Sequence, residues 1–553
     1  MKIKSYGKIL MSVLLFVMLF GCQNEKHDAI LKVGVSSLSG TFNPVYTASL
    51  NDSYVNDLVF ETLIGRDENG NRCGRLAESY EVSDDYRTMS FTLKENAVFS
   101  NGEKLTSDDV IFTFQVLADS SYDGPFLGML NNLEGANAYY RGEVDDISGM
   151  EKVDESHLRF HFIEGYRSNL DVVSSVGILS KKSYPDYEKG NLESIKQSMA
   201  SPVGSGPYQL ENWTSDNGAL LVKNPYYQGD GYTIATIAIS EIGNDKVYEA
   251  LDQGTIDAIF GVKDHDLIEK VKTNDHLQYL SYDSASISWI TLNSGNGVTS
   301  DAKVREALSL GFDATTFVEH YYGDETYAYV PAIFQNPASL LKPYVNGEIS
   351  INKIDRFSIV KANQRLEEAG WLLNEDGYRY KNGEPLEIRF LYAQEQGYAD
   401  ALITQLKETW EKQLHCKVSV ASLSYESMLN KVLDDSSLNE WNAFMLGTSF
   451  SSEDLDSIYT MLHSSYAGNG GSNLARLKNQ EIDALLEEGR MTFQEDKMKE
   501  IYLELAEKVQ KEYVYLPVVV SKNFDIYNQR LQGLRGDTYY PWTYAIKDVV
   551  LNS

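Results

Sequence analysis

Phe99-Ser100-Asn101-Gly102-Glu103-Lys104-Leu105-Thr106-Ser107-Asp108-Asp109-Val110 holds a turn and a helix start in one short run. Asn101-Gly102 supplies residues that accept the left-handed backbone of a tight turn. Thr106 then opens a helix, and Asp108 and Asp109 place acid at the positive end of its dipole. Val110, Phe114 and Leu117 form its apolar stripe. Upstream, residues 80–82 and 89–93 alternate as strands. Strand, turn and helix follow one another, the local grammar of a mixed α/β fold.

The same alternation extends in both directions without a repeat period. From Leu31, LKVGVSS reads as a strand that Thr41-Phe42-Asn43-Pro44 breaks. Residues 52–64 suit a helix with Val55, Leu58, Val59 and Thr62 on one face. Asp67-Glu68-Asn69-Gly70 is a tight turn between strands; it lacks the later ligand positions of a calcium loop. Residues 234–242 are a β-branched run, 247–251 begin a helix and 256–259 a strand. Asp301 caps a helix with Val304, Ala307, Leu308 and Phe312 inward; Asp313 caps another that carries Phe317 and Tyr321 and stops near Gly323. A helix over 358–369 ends at Gly370. Tyr378 and Tyr380, the Asn382-Gly383 turn, and Leu386, Ile388 and Phe390 predict a hairpin. A helix over 399–413 feeds a strand at 417–420, residues 482–509 hold one or two helices, and 514–520 is an apolar strand. The aromatic tail from 533 packs as a terminal cover. No Gly-Ser or proline-rich linker divides the chain, so its lobes are joined by crossing strands.

At 553 residues the chain exceeds what one core holds, and at least two lobes are expected. Lys2, Lys4 and Lys8 precede an apolar run over 9–20 that ends in Leu19-Phe20-Gly21-Cys22. A positive start, a short apolar run and a small residue before the cut make residues 1–21 a secretory signal. The run is too short to span a bilayer comfortably. Its end resembles a bacterial lipobox, although Phe20 is bulkier than usual there. That resemblance makes Cys22 an acylated N-terminus bearing palmitate or a similar chain, and residues 22–30 a lipidated tether. The expected address is the outer face of the cytoplasmic membrane. The formal charge of −31 falls to about −34 without the three lysines, which argues against nucleic acid and anionic lipid surfaces as partners. Cys73 and Cys416 read as free thiols, since two cysteines do not make a disulfide framework.

Four segments carry a family resemblance, in order and at normal spacing. They are Leu76-Ala77-Glu78-Ser79-Tyr80-Glu81-Val82-Ser83-Asp84-Asp85; Phe91-Thr92-Leu93-Lys94 with the run from Phe99 to Val110; Val203-Gly204-Ser205-Gly206-Pro207-Tyr208-Gln209-Leu210 with Lys223-Asn224-Pro225-Tyr226-Tyr227; and Val304-Arg305-Glu306-Ala307-Leu308 with Asp313. From Leu31 to its end the chain resembles the family 5 extracellular solute-binding proteins, the peptide and nickel receptors of ABC importers. The resemblance implies a two-lobed α/β fold like the type II periplasmic binding proteins. Lobe I would take residues 31–285, with an extra subdomain over about 70–200, and lobe II 286–515. Residues 516–553 would return to lobe I. The implied role is capture of a peptide and delivery to an ABC permease, by a monomer and without a cofactor. The motifs themselves read as scaffold: the Gly204-Ser205-Gly206-Pro207 turn has no following Lys-Ser/Thr and is no phosphate loop.

In peptide-binding members of the family, a second-lobe aspartate meets the peptide's α-amino group. The matching stretch here is Gly447-Thr448-Ser449-Phe450-Ser451-Ser452-Glu453-Asp454-Leu455-Asp456, and Ser451 stands at the aspartate position. Serine offers an ammonium no charged partner. Glu453 or Asp454 can compensate, or can cap a helix. Ser449 and Ser451 are therefore candidate ligand contacts along with these acids. Phe42, Tyr46 and Tyr54, after the first strand, and Trp289, near the inter-lobe crossing, are candidate aromatic walls or core residues. Arg167 can meet a carboxylate or stay on the surface. No catalytic or metal-binding motif stands out, and His157 and His161 on one strand are too far apart to chelate one ion. The other ligands weighed are a nickel chelate, an oligosaccharide and a signalling peptide. A surface glycoside hydrolase is the reading from another class, because acidic pairs are plentiful. A receptor reporting to a sensor is a third.

Overall fold

The computed structural model describes residues 30–351, 357–452 and 454–552. One continuous path of strands runs through both lobes. In order it is Lys417–Leu423, Glu387–Ala393, Ala443–Ser449, Ser286–Leu292, Tyr515–Asn528, Ala258–Val262, Ile30–Val35, Thr236–Glu241, Gly218–Lys223 and Tyr208–Thr214. The opening strand Ile30–Val35 is parallel to both neighbours, Thr236–Glu241 and Ala258–Val262. In the second lobe Glu387–Ala393 is parallel to Lys417–Leu423 and Ala443–Ser449. A separate four-stranded sheet joins Ala77–Val82, Thr88–Leu93, His157–His161 and Met150–Lys152 in the first lobe.

The two halves meet on one strand. Tyr515–Asn528 pairs with Ser286–Leu292 over its first half (Thr291 opposite Tyr515, Ser288 opposite Val519). Its second half pairs with Leu277–Asp283 (Asp283 opposite Lys522, Leu277 opposite Asn528) and with Ala258–Val262. Between them, Ser284 N donates to Ser521 O at 3.0 Å. Two chain segments thus pass side by side from one lobe to the other, and the lobes are joined by crossing strands. Core residues divide accordingly. Val33, Phe91, Phe112, Phe114 and Phe160 are fully buried in the first lobe, Trp289, Trp410 and Trp441 in the second.

The motifs resolve into local physics. Thr106 N donates to Asp109 Oδ2 at 2.8 Å, capping the helix Ser107–Leu117, and Gly102 has φ +83°. The helix Leu50–Val59 ends before Thr62, because Phe60 turns extended and Gly206 N donates to Val59 O at 2.7 Å. A Cβ on Gly204 would stand 2.0 Å from that same oxygen, so the turn needs glycine for close approach. Arg305 is 3 % exposed and donates to the carbonyls of Thr299, Ser300 and Glu512 at 2.7–3.0 Å. Asp301 caps Ala302–Leu310 and Asp313 caps Ala314–Tyr322. Two expectations change. The Asn382-Gly383 turn, with φ 55° and 87°, joins Arg379–Lys381 to Glu384–Pro385, but Glu387–Ala393 leaves the hairpin for the main sheet. The apolar strand from 514 runs on to Asn528, since Lys522, Asn523 and Asp525 fall where the strand crosses between lobes and local polarity does not end it.

Replacing Gly204 with alanine should destabilise the chain by about 1–3 kcal/mol through overpacking against Val59 O. Denaturant unfolding measures this, and an unchanged midpoint would contradict the close-approach reading.

Candidate functional site

The candidate ligand residues do not form one wall. Phe42 is fully buried and meets Trp213 edge-on at 5.6 Å; Trp289 is 1 % exposed between Phe334 and Tyr515. Neither presents a ring to a ligand, because each fills its own lobe's core. Tyr46 packs on Tyr122, with the Lys196 ammonium 5.5 Å from its ring, at the outer part of the first lobe. Tyr54 is buried against Phe260 and Trp542, and its hydroxyl approaches Gly261. Ser449 and Ser451 are exposed. Asp454 is buried and caps the turn Leu455–Ile458 through Asp456 N at 2.9 Å. Cys22 and Glu453 lie outside the described residues.

The chain at residues 449–452 and 454–456 bridges the lobes. Phe450 N donates to Ala285 O at 3.0 Å, anchoring it at the crossing. Ser452 Oγ donates to Asp171 Oδ2 of the first lobe at 2.8 Å, and Asp171 also pairs with Arg72. Arg167 Nε lies 3.3 Å from Asp454 Oδ2, so this arginine does meet a carboxylate, one supplied by the opposite lobe. Ser168 Oγ donates to Asp456 Oδ2 at 3.2 Å. Arg490 stands 3.4 Å from that carboxylate, with its guanidinium between the rings of Tyr166 (3.6 Å, first lobe) and Tyr459 (3.8 Å, second lobe). Tyr86 stacks on Phe493 across the same gap at 4.0 Å. Tyr539, from the C-terminal segment, donates to Ser452 O at 2.9 Å and pins the bridge. No local pattern marks Tyr86, Asp171, Arg490 or Phe493, because each gains its partner from the far lobe.

Inside this rim, the ends of two second-lobe strands present small polar groups. Ser286 faces Ser449 and Ser288 faces Gly447 across an antiparallel pair, so all four share one side of the sheet. Ser286 Oγ and Ser449 Oγ are 2.6 Å apart. Facing them at the crossing are Ser284, Lys263 and Tyr282, whose hydroxyl donates to Asp525 Oδ1 at 3.1 Å. The Asp525 carboxylate also accepts from Gly261 N at 2.9 Å. Among the described residues no three or more His, Cys, Asp or Glu side chains cluster as a metal site, and His157 and His161 pair separately with Asp154 and Glu151. A cavity of about 290 Å³, lined by Phe312, Val330, Tyr515 and Pro517 among others, belongs to the second lobe alone.

Burial pushes Asp456 from 3.8 up to about 7, and Asp57 and Asp525 up to about 6. The folded chain therefore holds protons that the unfolded chain has released, and stability should fall as pH rises from about 4 to 7. Asp456→Asn fixes one of these groups neutral. Its melting temperature relative to the parent should be unchanged at pH 4 and rise to a plateau above pH 7, worth about 2–4 kcal/mol. A difference that does not vary with pH would contradict the raised value.

The model for bacterial extracellular solute-binding proteins, family 5 middle, matches residues 74–470. The chain is 24 % identical to the oligopeptide-binding protein AppA of Bacillus subtilis over 515 residues, covering 92 % of this chain and 89 % of that protein. It is 26 % identical to heme-binding protein A of Haemophilus influenzae, covering 83 % and 80 %. The fold superposes on NikZ from Campylobacter jejuni, solved in complex with Ni(L-His), with TM-score 0.73 at 23 % identity, over 94 % of this chain and 99 % of that one. Among the described residues no helix is long and apolar enough to cross a membrane. The four motifs and the family match agree: the chain belongs to the bacterial extracellular solute-binding proteins of family 5.

Proposed function

We propose that the chain is a receptor that captures a peptide between its lobes, without turnover, and hands it to the permease of an ABC importer. The observation that carries this reading is the pair of strand ends at Ser286, Ser288, Gly447 and Ser449, small and polar, set beside a two-strand crossing. Small side chains leave room for a peptide and offer it hydroxyls as hydrogen-bond partners. Rim contacts between lobes then favour the closed state once a ligand fills the gap. A relative named for oligopeptide binding supports the class of ligand.

A second reading, a metal chelate or haem-like solute, is favoured by relatives named for those ligands and by Ser451, which cannot pair with a peptide ammonium. Such a ligand carries its own donor atoms. Cys22 is proposed as the acylated anchor and residues 23–30 as a spacer that lets the receptor reorient at the membrane.

Native mass spectrometry of the chain purified without denaturant should show peptide-sized adducts, and a casein digest should raise its melting temperature. A chain with neither adduct nor shift would contradict peptide capture, and a compact metal-bearing adduct would favour the second reading. Cys22→Ser should move the protein from the membrane pellet to the medium; a variant that stays in the pellet would count against the lipid anchor.

A further inference from the structure

Among the described residues, acids at the lobe crossing and rim are engaged, while Lys263 is not. Asp283 pairs with Lys342 at 3.0 Å, Asp454 with Arg167, Asp456 with Arg490 and Asp171 with Arg72. Asp525 is held by Gly261 N and Tyr282. Lys263 differs. It follows the strand Ala258–Val262, where the ladder shifts register and Gly261 takes φ +69°. That irregularity turns the lysine out of the sheet toward the crossing. The residue is exposed as a whole, while its ammonium turns inward and reaches Ser284 Oγ at 3.5 Å. Ser284 is 4 % exposed, and the same oxygen accepts Ser286 N at 3.1 Å, so Lys263 stands at the head of the strand that carries Ser286 and Ser288. Among the described residues no carboxylate lies within ion-pair distance of it. The surrounding protein strips water from the ammonium and lowers its pKa, and no neighbouring acid offsets that.

A lysine on an open surface needs no acid partner, because water solvates it. One that is partly desolvated and unpaired, one hydroxyl away from the polar strand ends between the lobes, is completed by an anion from outside the chain. We propose that Lys263 receives a carboxylate of the bound solute and selects for ligands that carry one. This rests on the reading that the space between the lobes is the binding site, and it adds the charge that the ligand must bring. The carboxylate can come from a peptide C-terminus, from an acidic side chain or from a small polycarboxylate; one ammonium serves all three.

The test captures a peptide from a casein digest on the full mature chain, identifies it by mass, and compares it with two synthetic versions. One has an amidated C-terminus, and one has its Asp and Glu changed to Asn and Gln. Citrate is run in parallel by thermal shift. One of the two neutralised versions should bind at least about tenfold more weakly than the parent peptide. Lys263→Gln should erase that difference while keeping the melting temperature of the free protein, and Lys263→Arg should largely restore it. Whichever version loses affinity names the source of the carboxylate. If a peptide is captured and neither neutralisation nor Lys263→Gln changes its affinity, the assignment of Lys263 falls and peptide capture stands. If no peptide is captured but citrate stabilises the parent and not Lys263→Gln, the peptide reading falls and the lysine assignment stands. If neither probe binds, both fall.

Discussion

One strand, Tyr515–Asn528, belongs to both lobes, and the geometry of the molecule follows from that constraint. Its two halves hydrogen-bond to different sheets, so neither lobe can move without bending it or its companion, which crosses between Asp283 and Ser286. Two crossings side by side restrict relative motion far more than a single flexible linker would, and they favour a hinge over free tumbling. They also place small residues at the pivot: Ser284, Ser286 and Ser521 meet there through backbone and hydroxyl bonds. A bulky side chain at this point would obstruct both the pivot and the space beside it.

Beyond the pivot, further contacts hold the two lobes together. Tyr86 on Phe493, Arg490 between two tyrosines, and the Arg167–Asp454 pair all span the gap. Each is modest alone, and partly exposed ion pairs contribute little. They share one motion, however, so they form and break together. The left-handed backbone of Tyr86, at φ 54°, is uncommon for a bulky residue and holds the ring out toward its partner.

Much of the scaffold was legible from local signals. Thr106, Asp301 and Asp313 announce helix starts because capping acts within three residues, and the caps at all three are present. Asn382-Gly383 announces its turn for the same reason. The long strand was legible only to 520, since its second half alternates polar and apolar residues across the pivot and lacks an apolar run. The site was far less legible. Phe42 and Trp289 attract notice as aromatics, yet a large ring near a strand end fills a core as readily as a cleft. Lys263 carries no local mark at all. Its meaning comes from which acids are already engaged, and those engagements join residues from 34 to 287 positions apart.

The central physical claim is that ligand binding closes two lobes about a shared pair of strands. Spin labels at Asp84 and Asp496, both exposed and flanking the Tyr86–Phe493 stack, report on the gap directly. With ligand bound, the inter-label distances should collapse into one short, narrow population, and without ligand longer distances should be populated. A broad distribution that stays the same while mass spectrometry shows the ligand bound would contradict closure as the means of capture.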